Sequence, residues 1–246
     1  MKLDFRGQVV LVTGTTRGIG EQLAHDFGKL GAQLILTGTH SDRVAGLGKN
    51  GSRRKRYYCV DFSIEESLEQ FLEAIRQYPR IDVCVNNAGI NRINYLEDTK
   101  VEDWNEMMDV NLKAPFLILR EVSQIMKKNR YGRIVNIGSI FGLVSREKRS
   151  IYSTTKSALQ GLTVASSNEL ARYNVFVNTV SPGFILTDLT RRILSRREKT
   201  ELTHQIPARR LGTPGDISRV VLFLASPLNT YLTGQNIVVD GGFVNV

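Results

Sequence analysis

Short, almost wholly apolar runs alternate with segments of helical period along most of this chain. Gln8–Val12, Leu34–Thr37, Tyr57–Val60, Val83–Val85, Ile134–Ile137, Val175–Val180 and Ile237–Asp240 read as strands. Runs this short, bounded by Gly, Asn or Ser, suit the strands of a parallel sheet, which is covered on both faces. Between them apolar residues recur at three- and four-residue intervals, marking one face of a helix. Ile19, Leu23, Phe27 and Leu30 precede a stop at Gly31, and Leu68, Phe71, Leu72 and Ile75 lie within Ile64–Gln77. Two longer helical stretches run over Val110–Lys128 and Ile151–Tyr173. This alternation predicts an α/β fold: a single-domain, Rossmann-type, doubly wound parallel sheet of about seven strands spanning 1–246. Leu186–His204 breaks the rhythm. It is polar and amphipathic, with Leu189, Ile193 and Leu194 as apolar residues, and reads as a substrate flap over 186–204.

Composition narrows the class rather than the activity. The 246 residues are 41% hydrophobic and 23% charged, as in ordinary globular chains. No apolar run reaches the roughly 18 residues that a membrane span needs. Met1–Gly7 has no apolar h-region, so the expectation is a cytoplasmic protein without membrane contact. Cys59 and Cys84 lie in apolar stretches and read as reduced, buried thiols. His25, His40 and His204 form no metal-binding pattern, so no metal site is expected. The net charge of +9 is dispersed over Arg53–Arg56, Lys127–Arg130, Arg146–Arg149 and Arg191–Arg197. Neither aromatic platforms nor a helix-turn-helix pattern accompany these runs, which argues against a nucleic-acid partner.

Candidate chemistry begins where the first strand runs into Thr13-Gly14-Thr15-Thr16-Arg17-Gly18-Ile19-Gly20. Glycines let a backbone turn sharply and bring its N–H groups against a pyrophosphate, and the following helix start adds unpaired donors. Alone, such a turn is also an ordinary tight strand-to-helix junction. Tyr152 and Lys156 stand four residues apart, on one helical face. An ammonium beside a phenol lowers the phenol pKa toward working pH, fitting it to exchange the proton of a carbonyl/alcohol pair. Gly138-Ser139 sets a hydroxyl at the carboxyl end of a central strand, the end where open α/β sheets bind ligands. There Ser139 would stabilise charge on a substrate oxygen.

The Gly-x-x-x-Gly-x-Gly turn, Asn86-Asn87-Ala88-Gly89, Asn111, Ser139, Tyr152-x-x-x-Lys156, Pro182-Gly183 and Val238–Gly242 follow one another in order. Together they resemble the short-chain dehydrogenase/reductase family over essentially the whole chain. The resemblance implies an NAD(P)-dependent oxidoreductase acting on CH–OH/C=O groups, with Asn111, Ser139, Tyr152 and Lys156 as catalytic residues. In that scheme Tyr152 exchanges the proton, Lys156 lowers its pKa and holds the nicotinamide ribose, and Ser139 binds the substrate oxygen. The Asn111 backbone carbonyl holds a relay water. The cofactor would lie on Gly14, Thr16, Arg17, Gly18, Ile19 and Gly20, then beside Thr39, Asp61, Phe62, Asn87, Ala88 and Gly89. Tyr152, Lys156, Pro182, Gly183, Ile185 and Thr187 would surround its nicotinamide end. As plain chain features, Asp61 would be a helix cap and the asparagines a turn. The second strand ends in Thr37-Gly38-Thr39-His40-Ser41, without the acid that favours NAD(H). With Arg17 able to pair with a 2′-phosphate, NADP(H) is favoured over NAD(H).

Within the family, Gly132–Ser139 and Ile206–Gly212 resemble the 3-oxoacyl-[acyl-carrier-protein] reductases of fatty-acid synthesis. That implies NADPH-dependent reduction of 3-oxoacyl thioesters and docking of an acidic acyl carrier protein on arginines. Arg130 falls on one docking position, whereas Tyr173, preceded by Arg172, falls on the other. Arg146, Lys148 and Arg149 depart from the small neutral residues common in the substrate loop. They point to an anionic substrate (a phosphopantetheine thioester, a sugar acid or a nucleotide sugar) or to a solvated loop balanced by Glu147. A sugar-acid, polyol or polysaccharide-pathway dehydrogenase is the alternative. A non-catalytic cofactor sensor is a remoter one, because it has no need of a proton-transfer pair. The family likeness also implies a homotetramer.

Overall fold

The computed structural model describes residues 3–39, 54–187 and 195–245. Its strands are β1 (Val9–Val12), β2 (Gln33–Gly38), β3 (Lys55–Cys59), β4 (Val83–Asn86), β5 (Gly132–Ile137), β6 (Val175–Pro182) and β7 (Asn236–Val239). All neighbours pair in parallel, in the order β3-β2-β1-β4-β5-β6-β7. The helices are α1 (Gly18–Lys29), α2 (Glu65–Arg76), α3 (Val101–Met108), α4 (Ala114–Asn129), α5 (Ser150–Leu170), α6 (Arg196–Gln205) and α7 (Pro214–Ala225). The chain winds from β1 out to β3, returns to β4 beside β1, and then winds the other way. That reversal opens a crevice at the carboxyl ends of β1 and β4, where open α/β sheets take their ligands.

Alternating side chains send each strand into two cores. Val10 and Val12 of β1, with Leu34 and Leu36 of β2, join Leu23 and Phe27 of α1 and Ile217 and Val221 of α7. Leu11 and Ile35, one residue over, join Phe71 and Leu72 of α2 and Ile118 and Val122 of α4 on the opposite face. Period-2 alternation into apolar layers on both sides is why the strands read as continuous apolar runs.

Two expectations need correction. Cys59 is exposed, not buried, whereas Cys84 is buried. β3 is an edge strand, so its polar Lys55 and Arg56 can pair with Leu34 and Ile35 while staying exposed. The long helix expected over Val110–Lys128 is interrupted, and helix α3 precedes it. A single wide π turn, Asp109–Lys113, joins α3 to α4. Pro115, in the first turn of α4, has no N–H to give the carbonyl four residues back, that of Asn111. The expected flap is partly helix α6, started by a reciprocal cap between Ser195 and Glu198. Leu189, Ile193, Leu194, Arg191 and Arg192, like His40, Ser41 and Arg53, lie outside the described residues.

A buried polar chain crosses the middle of the sheet. Asn86 Nδ2 donates to Asn136 Oδ1 (2.8 Å), and Asn136 Nδ2 donates to Thr163 Oγ1 (2.9 Å). Thr163 Oγ1 lies 2.8 Å from Thr179 Oγ1 and donates to Leu159 O at 3.0 Å. The chain ties β4, β5 and β6 to α5 where no water would replace a lost partner. Thr163→Val keeps the shape but orphans the Asn136 amide and the Thr179 hydroxyl. It is expected to lower stability by about 1–3 kcal/mol in urea unfolding; a midpoint equal to the parent's would contradict this account.

Candidate active site

The glycine turn is built by close approach. Gly14 has φ +67°, and a Cβ there would meet Ala88 Cα at 2.9 Å. A Cβ on Gly20 would lie 2.1 Å from Gly14 O and 2.5 Å from Asn87 Nδ2, so no side chain fits. Asn87 Nδ2 donates to Thr13 O and Gly14 O, each at 2.9 Å. Thr13 Oγ1 accepts from Asn87 N (2.9 Å) and Ala88 N (3.0 Å), while Thr37 Oγ1 accepts from Gly14 N (3.0 Å). The ends of β1, β2 and β4 are thereby locked together around the start of α1. The first N–H groups of that helix, Gly18, Ile19 and Gly20, have no intrahelical acceptor. Gly18, at φ +63°, faces Thr187 across a narrow space: an added Cβ would stand 3.4 Å from its Cγ2. Arg17 and Thr39 are exposed beside this cradle.

Not every cofactor candidate offers a side chain to the crevice. Ile19 packs against the core, leaving its N–H as the group it can give. Phe62 is buried against Phe71, with ring centroids 6.1 Å apart. Asp61 Oδ1 accepts from the Ser63 N–H (3.0 Å) and hydroxyl (2.6 Å), organising the turn that leads to α2. Pro182 is buried, and a Cβ on Gly183 would strike Asp240 Cα at 2.7 Å. Ile185 is buried and pairs with Gly212.

Ser139, Tyr152, Lys156 and Asn111 come together at the carboxyl end of β5. Lys156 is buried and its Nζ donates to Ile137 O at 2.8 Å, 5.7 Å from the Tyr152 ring centroid. Asn111 Oδ1 accepts from Ile90 N (2.8 Å), and its Nδ2 donates to Ile90 O (2.9 Å) and Thr155 Oγ1 (3.2 Å). A Cβ on Gly89 would sit 3.3 Å from Asn111 Oδ1 and 3.6 Å from Lys156 Nζ. Ser139 Oγ accepts from Phe141 N at 3.1 Å and interacts with the Tyr152 hydroxyl. Burial pushes the Lys156 ammonium down to about 8. The Tyr152 phenol moves opposite to expectation. Burial raises it above 10, and Ser139 and the Arg149 charge pull it down without reversing the shift. The loss of water around the phenol sets the direction, and the lowering comes from Ser139 and Arg149 rather than from Lys156.

Several neighbours escaped the sequence reading. Thr155 Oγ1 links Asn111 to Tyr152 O (2.8 Å), and Thr13 and Thr37 clamp the glycine turn. Phe141, Phe184 and Phe243 form an edge-to-face series beside Tyr152, with centroids 6.4, 6.1 and 5.1 Å apart. The threonines sat inside motifs already noted. The phenylalanines, far apart in sequence, gave no local signal.

A family model described as enoyl-(acyl carrier protein) reductase matches residues 14–244. The chain is 40% identical to a 3-oxoacyl-[acyl-carrier-protein] reductase of Aquifex aeolicus, over 98% of this chain and 99% of that one. It is 38% identical to the Vibrio cholerae enzyme of that name, over 98% of each. Among solved structures it is similar to ElxO with NADP bound, at TM-score 0.89 and 30% identity, covering 97% of this chain and 99% of that one. A gluconate 5-dehydrogenase of Burkholderia cenocepacia, in complex with NADP and tartrate, gives 0.90 and 28% over 99% and 97%. A 4-hydroxyisoleucine dehydrogenase complexed with NADH gives 0.92 and 27% over 98% and 100%. With the family model spanning nearly its full length, this chain belongs to the short-chain dehydrogenase/reductase family of oxidoreductases.

Proposed function

We propose that this protein is an NADPH-dependent carbonyl reductase whose substrates are 3-oxoacyl thioesters, reduced to 3-hydroxyacyl thioesters. The observation that carries the reading is the meeting of Ser139, Tyr152 and buried Lys156 beside the glycine cradle. The residues present fit a dinucleotide: the N–H groups of Gly18, Ile19 and Gly20, which have no intrahelical acceptor, suit a pyrophosphate, and the Gly18–Thr187 space would be filled by any side chain. When bound, the nicotinamide supplies the hydride. Ser139 and Tyr152 hydroxyls bind the substrate oxygen, and Tyr152 gives it a proton. A phenol held above its ordinary value is protonated at neutral pH, the form a donor needs. Lys156 holds the nicotinamide ribose, and the Asn111 carbonyl, denied an α-helical partner by Pro115, holds the relay water.

Relatives of this reductase name and the resemblance of Gly132–Ser139 support the substrate. So does the surface around Tyr173, where Lys127, Arg130 and Arg172 lie 5.4, 5.7 and 5.0 Å from the ring centroid. Tyr173 therefore replaces a docking arginine without removing positive charge, and an acidic acyl carrier protein remains the partner. Exposed Phe116 on α4 and Val164 on α5 suit burial in a homotetramer. NADP(H) is the favoured cofactor because Arg17 is exposed at the cradle, with no carboxylate partner among the described residues.

Tyr152→Phe removes the proton donor but little surface. NADPH oxidation with acetoacetyl thioester is expected to fall by at least about a hundredfold, while NADPH binding, read by fluorescence, is retained. Parent-like turnover would refute the assignment. Arg17→Glu is expected to raise KM for NADPH about tenfold or more and spare NADH, as measured by kcat/KM with each coenzyme; equal effects on both would contradict a 2′-phosphate contact. Lys156 titrates near 8 in the fold and 10.5 in its absence. Below pH 8 it is charged in both states and its burial opposes folding. Across pH 8–10 the unfolded chain keeps a proton that the folded protein releases, so stability rises with pH. Relative to Lys156→Met, the cofactor-free protein is expected to gain up to about 3 kcal/mol over this window in urea unfolding; parallel profiles would disprove it.

A further inference from the structure

Of the basic residues in the substrate loop, two converge beside Tyr152 and one does not. The guanidinium carbons of Arg146 and Arg149 each lie 5.5 Å from the Phe141 ring centroid, and Arg146 is also 5.7 Å from that of Phe184. Phe141 stands 6.4 Å from Tyr152, so both cations are one ring away from the phenol. Lys148, at φ +65°, lies over Tyr95 instead, 4.2 Å from its centroid.

A solvated loop would spread its charges into water. Here two like charges share one aromatic ring, and Arg149 is half-buried. Among the described residues no carboxylate pairs with either, and Glu147 between them is exposed and makes no salt bridge. A cation held over a ring keeps N–H donors for an anion. Burial and the Arg146 charge both weigh on Arg149, a repulsion that a bound anion would relieve.

Resting on the oxidoreductase reading of this site, we propose that Arg146 and Arg149 form an anion arm, which takes a substrate carboxylate a few bonds from the reactive carbonyl. The phosphate of a pantetheine thioester, at the far end of its long arm, is too remote from the carbonyl to reach it. An oxo acid, or a 3-oxoacyl group whose chain ends in a carboxylate, places the charge correctly.

The test is calorimetric titration of the full chain with NADP⁺, a pairing that permits binding without reduction, using 5-oxohexanoate and its methyl ester. The acid is expected to bind at least about tenfold tighter than the ester. Arg146→Gln with Arg149→Gln should abolish that gap, and Lys148→Gln should keep it. Equal binding of acid and ester by the parent needs no variant and overturns the inference, as does no binding of the acid. A gap that survives the double substitution overturns it too. NADPH oxidation with acetoacetyl thioester separates the two readings. If that thioester is reduced but the acid gains nothing in binding, the anion arm alone fails. If the acid binds tighter and the thioester is not reduced, the arm stands and the reductase reading fails.

Discussion

A lysine ammonium buried at the end of β5 sets the terms for everything around it. It donates a hydrogen bond to a backbone carbonyl, that of Ile137, and burial already draws it toward neutrality. Such a group persists only where the surroundings leave it no other place. The register of α5 against β5 and β6, held by Asn136, Thr163 and Thr179, does this. The same register puts Tyr152, one turn earlier on α5, beside Ser139.

The glycine turn, proposed to cradle the coenzyme, obeys a different constraint, close approach rather than charge. Gly14 and Gly20 leave no room for a Cβ, because Ala88, Asn87 and the turn's own carbonyl occupy it. Asn87 and Thr13 then hold β1 to β4 across the point where the sheet reverses direction. The two constraints meet at Gly89, whose missing side chain lets Asn111 and Lys156 approach from the catalytic side. In the proposed mechanism, hydride donor and proton donor are thus served by the carboxyl ends of one sheet's strands.

Charge is distributed with some economy on this basic chain. Buried or half-buried arginines such as Arg133 find carbonyls and rings: Asn229 O at 2.9 Å, and Phe176 and Tyr131 with centroids at 4.3 and 4.6 Å. Arg76 and Arg120 share the buried Glu121. Against that background, the cations around Tyr173 and over Phe141 face no carboxylate among the described residues.

Periodicity alone determined the sheet, its parallel strands and most of its helices, because strands covered on both faces must be apolar throughout and surface helices must be amphipathic. The motif residues were legible for a similar reason: a glycine is readable wherever a Cβ cannot fit, and a Tyr/Lys pair wherever a helix turn stacks them. Cys59 misled because an edge strand and a central strand look alike in sequence, and only pairing tells them apart. The π turn around Asn111 needed the helix on both sides of Pro115 before its cause was visible. The direction of the Tyr152 shift, the Phe141–Phe184–Phe243 series and the partition of the loop cations depend on groups remote in sequence. Desolvation and like-charge repulsion are set by the three-dimensional surroundings, which no local pattern encodes.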